Sequence, residues 1–336
     1  MKILVTGGAG YIGRTVVSAL LDAGHAPVVL DSLSIGPIEF IEGLIFYKGD
    51  IGDSQILDKI FYDHPDLEAV MHFAALIDVE ESMRLPSLYY SENLFKAQIL
   101  LNSAMAAGVN RFLFSSTAAV YKAGGSGEGL QENSPVDPLS AYAASKLMFE
   151  RVLADTCQEH GAVGMALRYF NPIGADPKMR SGAYRDDPSH LLGRLTKLST
   201  RGGGLFSIFG DDYPTRDGTP MRDFIHVWDL AQAHIAALIF MAGLRESRFE
   251  VMNVGSGAGV TVREFAQTFL EVSGAPIDVV VGRRRPGDSA GAFADTSRAR
   301  LVLGWSPHLS LQQGITDSLT WEEIWRARSH KSKGAN

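Results

Sequence analysis

The chain opens on Lys2-Ile-Leu-Val-Thr6, a short apolar run, and passes without a spacer into Gly7-Gly-Ala-Gly-Tyr-Ile-Gly13. No other stretch restricts the fold so strongly. An apolar strand that feeds a glycine turn and then a helix is the entry to a parallel sheet covered by helices on both faces. Two spacings overlap, Gly7-x-x-Gly10-x-x-Gly13 and Gly8-x-Gly10-x-x-Gly13. Such glycines permit a tight turn and let backbone N–H groups at a helix N-terminus approach a phosphate closely. The texture then repeats. Strand-like runs at Pro27–Leu30, Ile45–Lys48, Ala69–Phe73, Arg111–Ser115 and Val163–Tyr169 alternate with helical patterns, notably Tyr11–Ala23 and Leu94–Ala107. A further helix starts at Ser140, a good N-cap after Pro138.

This pattern predicts an α/β protein with a doubly wound parallel sheet of the Rossmann type over residues 1–171. After Asn171 the texture changes. Residues 172–223 are rich in Gly, Pro, Asp and Arg, with a helix around His190–Thr200, and helices return at Trp228–Met241 and Val262–Gly274. Residues 172–328 are therefore expected to form mainly a smaller substrate lobe, with some segments returning to the main domain. Residues 329–336 read as a frayed tail.

The 336 residues carry a net charge of −7, which gives no support to nucleic-acid binding. The longest apolar helix candidate, about Leu230 to Leu244, contains Gln232 and His234 and is too short to span a bilayer. The N-terminal apolar run is too short for a signal peptide. One cysteine, Cys157, fits a cytoplasmic setting and reads as a buried structural thiol. There is no His/Cys cluster at metal-ligand spacing, so no metal is expected.

Asp31 stands at the end of the second strand. A carboxylate there accepts hydrogen bonds from adenosine ribose hydroxyls and repels a 2′-phosphate, which favours NAD over NADP. Asp50-Ile51 follows the third strand, where an adenine would pass, and Phe73-Ala74-Ala75 ends the fourth, where small side chains let the backbone reach a cofactor. Downstream, Tyr142-Ala-Ala-Ser-Lys146 puts a phenol and an ammonium on one helix face. Phe114-Ser-Ser-Thr117 ends a strand 25 residues earlier and can bring a hydroxyl beside the phenol. A tyrosine has a reference pKa near 10, poorly matched to a base at neutral pH. A nearby Lys146 ammonium and an oxidised nicotinamide would each favour the phenolate. The expected chemistry is removal of a hydroxyl proton by Tyr142 while a hydride leaves the same carbon.

These residues resemble the extended short-chain dehydrogenase/reductase superfamily, and within it the UDP-hexose 4-epimerases. The likeness runs from Met1 to about Trp325. It is carried by Thr6–Gly13, His72-Phe-Ala-Ala75, Phe114–Thr117, Arg168-Tyr-Phe-Asn-Pro172 and the more specific Gly210-Asp-Asp-Tyr-Pro-Thr-Arg-Asp-Gly-Thr219, continued by Arg222-Asp-Phe-Ile-His-Val227. The resemblance implies a tightly held NAD, a UDP-sugar substrate, a 4-keto intermediate and a homodimer. It makes Tyr142 the acid/base, Lys146 its partner and ribose ligand, and Thr117 the group that positions the hydroxyl. It assigns the cofactor shell to Gly7, Gly10, Tyr11, Ile12, Gly13, Asp31, Asp50, Ile51, Phe73, Ala74, Ala75, Asn93, Ser115 and Tyr169 besides Tyr142 and Lys146. The substrate shell becomes Thr117, Tyr142, Asn171, His190, Leu191, Phe209, Arg222, Arg285, Asp288 and Ala292. Ala292 is small, which would leave room for an N-acetylated sugar.

The chain departs from the family at Lys122, Ile77, Gly193 and Glu92. Alternatives are a sugar-nucleotide dehydratase, a UDP-pentose 4-epimerase and a non-catalytic NAD-sensing protein. Ala118-Ala119 supplies no carboxyl group beside Thr117, which disfavours dehydration; the retained Tyr/Lys pair disfavours a mere sensor.

Overall fold

The computed structural model describes residues 1–122, 129–185, 190–284 and 289–333, with side chains to Arg328. Twelve strands are present among them: β1 Lys2–Thr6, β2 Ala26–Asp31, β3 Ile45–Lys48, β4 Leu67–His72, β5 Arg111–Thr117, β6 Val163–Tyr169, β7 Asn171–Ile173, β8 Gly204–Phe209, β9 Met221–His226, β10 Arg248–Val254, β11 Gly259–Thr261 and β12 Ile277–Gly282. Seven of these form one sheet in the order β3-β2-β1-β4-β5-β6-β10. Every pairing in it is parallel. The expected doubly wound α/β sheet is therefore present.

The continuous apolar strands are explained by burial on both sides. Ile3, Val5, Val29, Met71 and Leu113 point to one core, which the helices Tyr11–Asp22 and Val227–Gly243 cover. Leu4, Val28, Leu30, Val70, Phe112 and Phe114 point to the other, under Ser54–Asp63, Lys96–Ala106 and Ala141–His160. Because side chains alternate along a strand, each strand must be apolar at every position to satisfy both layers.

The strand order reverses between β1 and β4. In open α/β sheets the crevice at the carboxyl ends of such a pair is where ligands bind. The second half of the chain builds on that crevice. It contributes a three-stranded sheet (β11-β9-β7), the parallel pair β12-β8, and an apolar cluster of Ile173, Leu195, Phe206, Phe224, Phe265, Phe269 and Ile315. It also returns β10 to the main sheet, and its final helix runs Leu311–Lys333. No helix among the described residues is long and apolar enough to cross a membrane.

Several boundaries differ from the sequence reading, each for a physical reason. β2 runs through Asp31 because Asp31 still pairs with Lys48 of β3. β5 extends to Thr117, since Ser115, Ser116 and Thr117 keep their register with Leu167, Arg168 and Tyr169 of β6. The helix expected from Leu94 is preceded by Pro86–Tyr90 and a π-helical turn, Ser91–Phe95. Such turns occur frequently at functional sites.

Candidate active site

A cleft of about 1050 Å³ lies over the β1/β4 switch point and extends into the second half of the chain. Its floor is the glycine turn. Gly7 has φ +73°, and a Cβ there would lie 2.6 Å from the Ala74 amide nitrogen. A Cβ at Gly13 would collide with the Gly7 carbonyl oxygen. These two glycines thus hold the β1 turn against the β4 end and seat the helix on the turn. The helix Tyr11–Asp22 starts at Gly10 with no side-chain cap. Its first-turn N–H groups have no intrahelical acceptor, so this end suits an anion.

Asp31 braces the turn by accepting from the Ala9 amide at 2.9 Å and the Leu33 amide at 2.8 Å. Asp50 accepts from Gly52 N at 2.7 Å and pairs with Lys96 at 2.7 Å. Tyr11 donates its hydroxyl to the Gly174 carbonyl at 2.7 Å, which ties the turn to the second half of the chain. A cradle without Cβ atoms, uncapped helix N–H groups and a carboxylate at the β2 end fit the phosphates and ribose of a dinucleotide.

The chemistry-bearing groups converge on the end of β5. The Ser140 hydroxyl accepts from Ala143 N at 3.2 Å and starts the helix Ala141–His160, as expected. Tyr142 and Lys146 sit one turn apart on it and line the cleft with Ser115, Thr117 and Tyr169. Lys146 Nζ donates to the Ser115 carbonyl at 3.0 Å and lies 4.9 Å above the Phe114 ring. Burial pulls its ammonium down to about 7. Burial pushes the Tyr142 phenol above its ordinary value, and the Thr117 hydroxyl bonded to it works in the opposite direction. In the protein alone desolvation dominates, so the phenol is raised and not lowered. The Ser115 hydroxyl is bonded to the Tyr169 hydroxyl.

His72 is buried behind them, 2.7 Å from the Thr6 hydroxyl, and desolvation pulls it down to about 3, so it stays neutral. Asn93 lies on the π-helical turn, not on the cleft wall. It accepts from Leu76 N at 2.8 Å and donates to Leu76 O at 2.9 Å and Ser145 Oγ at 3.3 Å. It therefore fixes the loop after β4 to the helix of Tyr142.

Ile12, Ile51, Phe73, Ala74 and Ala75 also line the cleft, and Asn171, His190, Leu191, Phe209 and Arg222 line the part of it built by the second half of the chain. His190 caps the helix Leu191–Thr200 by accepting from Gly193 N at 3.2 Å. Asn171 donates to the Asp223 carbonyl at 2.9 Å. The Asp223 carboxylate, fully buried, accepts from Ser256 N at 2.7 Å, Ser256 Oγ at 2.7 Å, Gly257 N at 3.2 Å and Ala294 N at 3.0 Å. Arg222 Nη1 donates to the Met221 carbonyl at 2.8 Å. Arg285 and Asp288 fall outside the described residues. Ala292 is not on the cleft wall: Gly291 bridges to Met221, and the Phe293 ring turns toward Gly129 and Gly259.

Sequence reasoning missed part of the wall. Ser34, Ile35 and Gly36 border the cleft, as do Tyr184, Arg185, Trp321 and Trp325. Phe40 joins three of these in an aromatic cluster, with ring centroids 5.6 Å from Tyr184, 5.8 Å from Trp321 and 5.6 Å from Trp325. The i, i+4 spacing of Trp321 and Trp325 was the available signal.

Comparison with known proteins agrees with this geometry. The family described as NAD dependent epimerase/dehydratase matches residues 3–255. A UDP-glucose 4-epimerase of Azospirillum brasilense is 43% identical over 323 residues, covering 96% of this chain and 92% of that protein. One from Bacillus subtilis is 39% identical over 339 residues, covering 96% and 97%. Among solved structures, a UDP-glucose 4-epimerase from Stenotrophomonas maltophila with bound NAD and formylated UDP-arabinopyranose superposes with a TM-score of 0.91 at 34% identity, covering 98% of this chain and 99% of that one.

Proposed function

The chain belongs to the NAD-dependent epimerase/dehydratase family, and from that premise we propose that it is a UDP-glucose/UDP-galactose 4-epimerase whose acid/base is Tyr142. The observation that carries the reading is the convergence of Thr117, Tyr142 and Lys146 on a cleft that the glycine turn also enters. Gly7, Gly10, Tyr11, Ile12 and Gly13 would hold the NAD pyrophosphate, and Asp31 and Asp50 the adenosine. Bound NAD supplies a reversible hydride acceptor and, when oxidised, a positive charge beside the phenol.

The rest is done by the chain's own side chains. The Tyr142 phenolate takes the proton of the sugar 4-hydroxyl, which the Thr117 hydroxyl holds in place. Loss of the C4 hydrogen as a hydride, for which bound NAD would be the acceptor, leaves a 4-keto sugar. The sugar turns within the cleft, and Tyr142 returns the proton to the 4-oxygen as the same hydride would come back to the opposite face of C4. Lys146 lies one helical turn from Tyr142 on the cleft wall and is available to the cofactor ribose. Asn171, His190, Leu191, Phe209 and Arg222 would hold the UDP, joined by Arg285 and Asp288, which the family resemblance adds; an arginine fork suits the diphosphate. Elimination of water is not supported, since Ala118 and Ala119 follow Thr117 without a carboxyl group. Turnover of UDP-galactose should yield UDP-glucose with no net NADH; release of NADH, two for each UDP-uronic acid formed, would overturn the assignment. Run with UDP-N-acetylglucosamine, the same assay tests whether the site admits an N-acetylated sugar, which Ala292, lying off the cleft wall, does not decide.

A homodimer is the proposed assembly. The helices Lys96–Ala106 and Ala141–His160 and the turns before them leave Leu85, Leu88, Phe95, Ile99, Leu139 and Met148 exposed, with Phe95 60% accessible. A patch of that kind on a single chain points to association. Light scattering should give twice the 36.4 kDa chain mass at micromolar concentration; a monomer contradicts it. The single buried cysteine supports placement in the reducing cytoplasm.

A further inference from the structure

Behind the catalytic groups lies a buried ion pair that none of the chemistry above uses. Glu150 follows Lys146 by one helical turn and Tyr142 by two, and points inward. Arg168 meets it from β6 through Nε at 2.9 Å and Nη2 at 2.6 Å. The two side chains are 5% and 6% exposed. Ser116, between Ser115 and Thr117, donates its hydroxyl to Glu150 Oε1 at 2.5 Å. Ser116 and Arg168 are register partners across β5 and β6. Arg168 also donates Nη1 to the Glu132 carbonyl at 3.3 Å and stacks 4.9 Å from the Tyr121 ring. The carboxylate is thus bonded to the strand that carries Thr117 and to the neighbour of Tyr169.

We propose that Glu150 and Arg168 are positioning residues for the acid/base pair. Their bonds set the height of the Tyr142/Lys146 helix against Ser115–Thr117, and their opposite charges cancel close behind the reacting groups. A buried charge pair is a poor source of net stability, since desolvation offsets most of the attraction. Its geometry and neutrality are what the site gains. The charge argument is quantitative. Helical rise puts Glu150 about 6 Å from Lys146 and about 12 Å from Tyr142 along the axis. At that range a lone unit charge in protein shifts a titration by about one pH unit. The other titratable groups near the pair and the phenol are His72, Tyr121, Glu132, Lys146 and Tyr169, and none changes in the variants below.

The inference rests on Tyr142 as the base, and the test separates the two. Glu150→Gln keeps the shape and the bond from Ser116 but leaves the Arg168 charge unbalanced. That positive charge favours the phenolate and disfavours the ammonium. The acid limb of kcat/KM should move down by about one pH unit, with bound NAD and UDP affinity unchanged. Arg168→Lys keeps the charge and loses the two-pronged bond: kcat should fall about tenfold with the limb unmoved. The double variant Glu150→Gln/Arg168→Met is neutral again, and its limb should return to the wild-type position. A limb that stays at the wild-type position in Glu150→Gln, or stays shifted in the double variant, overturns the proposal. If Tyr142→Phe retains turnover, the reading of the base fails instead, whatever Glu150→Gln does.

Discussion

Tyr142→Phe is expected to lower kcat by ~10²–10⁴-fold, the usual contribution of a positioned acid/base, while the protein keeps its NAD and its affinity for UDP. The change removes one oxygen from a half-buried ring and leaves Ser140, which starts the helix, and Lys146, bonded to Ser115, in place. The effect should therefore appear in kcat and not in KM, because the phenol acts on the reacting hydroxyl and not on the nucleotide. Steady-state kinetics with UDP-galactose and calorimetry with UDP check it. Near-wild-type turnover would remove Tyr142 from the mechanism.

Gly13→Ala is expected to empty the dinucleotide site. In an exposed helix alanine is favoured over glycine by ~1 kcal/mol. Here the added Cβ would strike the Gly7 carbonyl, and Gly7 is itself held at φ +73° against Ala74. The obstacle is backbone on a turn with no room to shift, so overpacking at ~1–3 kcal/mol outweighs the helical gain. The collision pushes the first turn of Tyr11–Asp22 away from the phosphates, so both fold and cofactor suffer. The purified variant should carry little NAD, and its Tm should rise less on NAD addition than that of the wild type, since a weaker ligand stabilises less at equal concentration. Equal NAD content and equal Tm would show that this close approach is unimportant.

The dinucleotide half was legible because its strands are buried on both faces and its turn is made of residues with few alternatives. Lys2–Thr6 and Val163–Tyr169 matched to the residue. In the second half the helices at Leu191–Thr200, Val227–Gly243 and Val262–Ser273 were legible, but its strands were not. β7 and β11 are three residues long and gain their pairing from β9, a distant segment. Among the described residues β8 and β12 pair only with each other, across a gap of more than 60 residues, and carry exposed positions that blur the apolar period. The site shows the same division. Tyr142, Lys146 and Thr117 could be named from local spacing, and the structure brings them together at the cleft. Asn93 required knowledge of the π-helical turn that aims it at Leu76 instead of the cleft. Trp321 comes from the far end of the chain, and its indole donates to the Ala183 carbonyl at 2.6 Å. Glu150 stood in plain view, four residues beyond Lys146. Only its pairing with Arg168 and Ser116 shows what it does.

The central claim is that the hydrogen removed from C4 is the one returned to it, within one closed site. UDP-galactose labelled with deuterium at C4 tests this directly, with mass analysis of UDP-glucose formed in ordinary water. The account predicts that the product keeps the deuterium at C4 and gains none from solvent. Loss of the label to water, or its accumulation in released NADH, would contradict it.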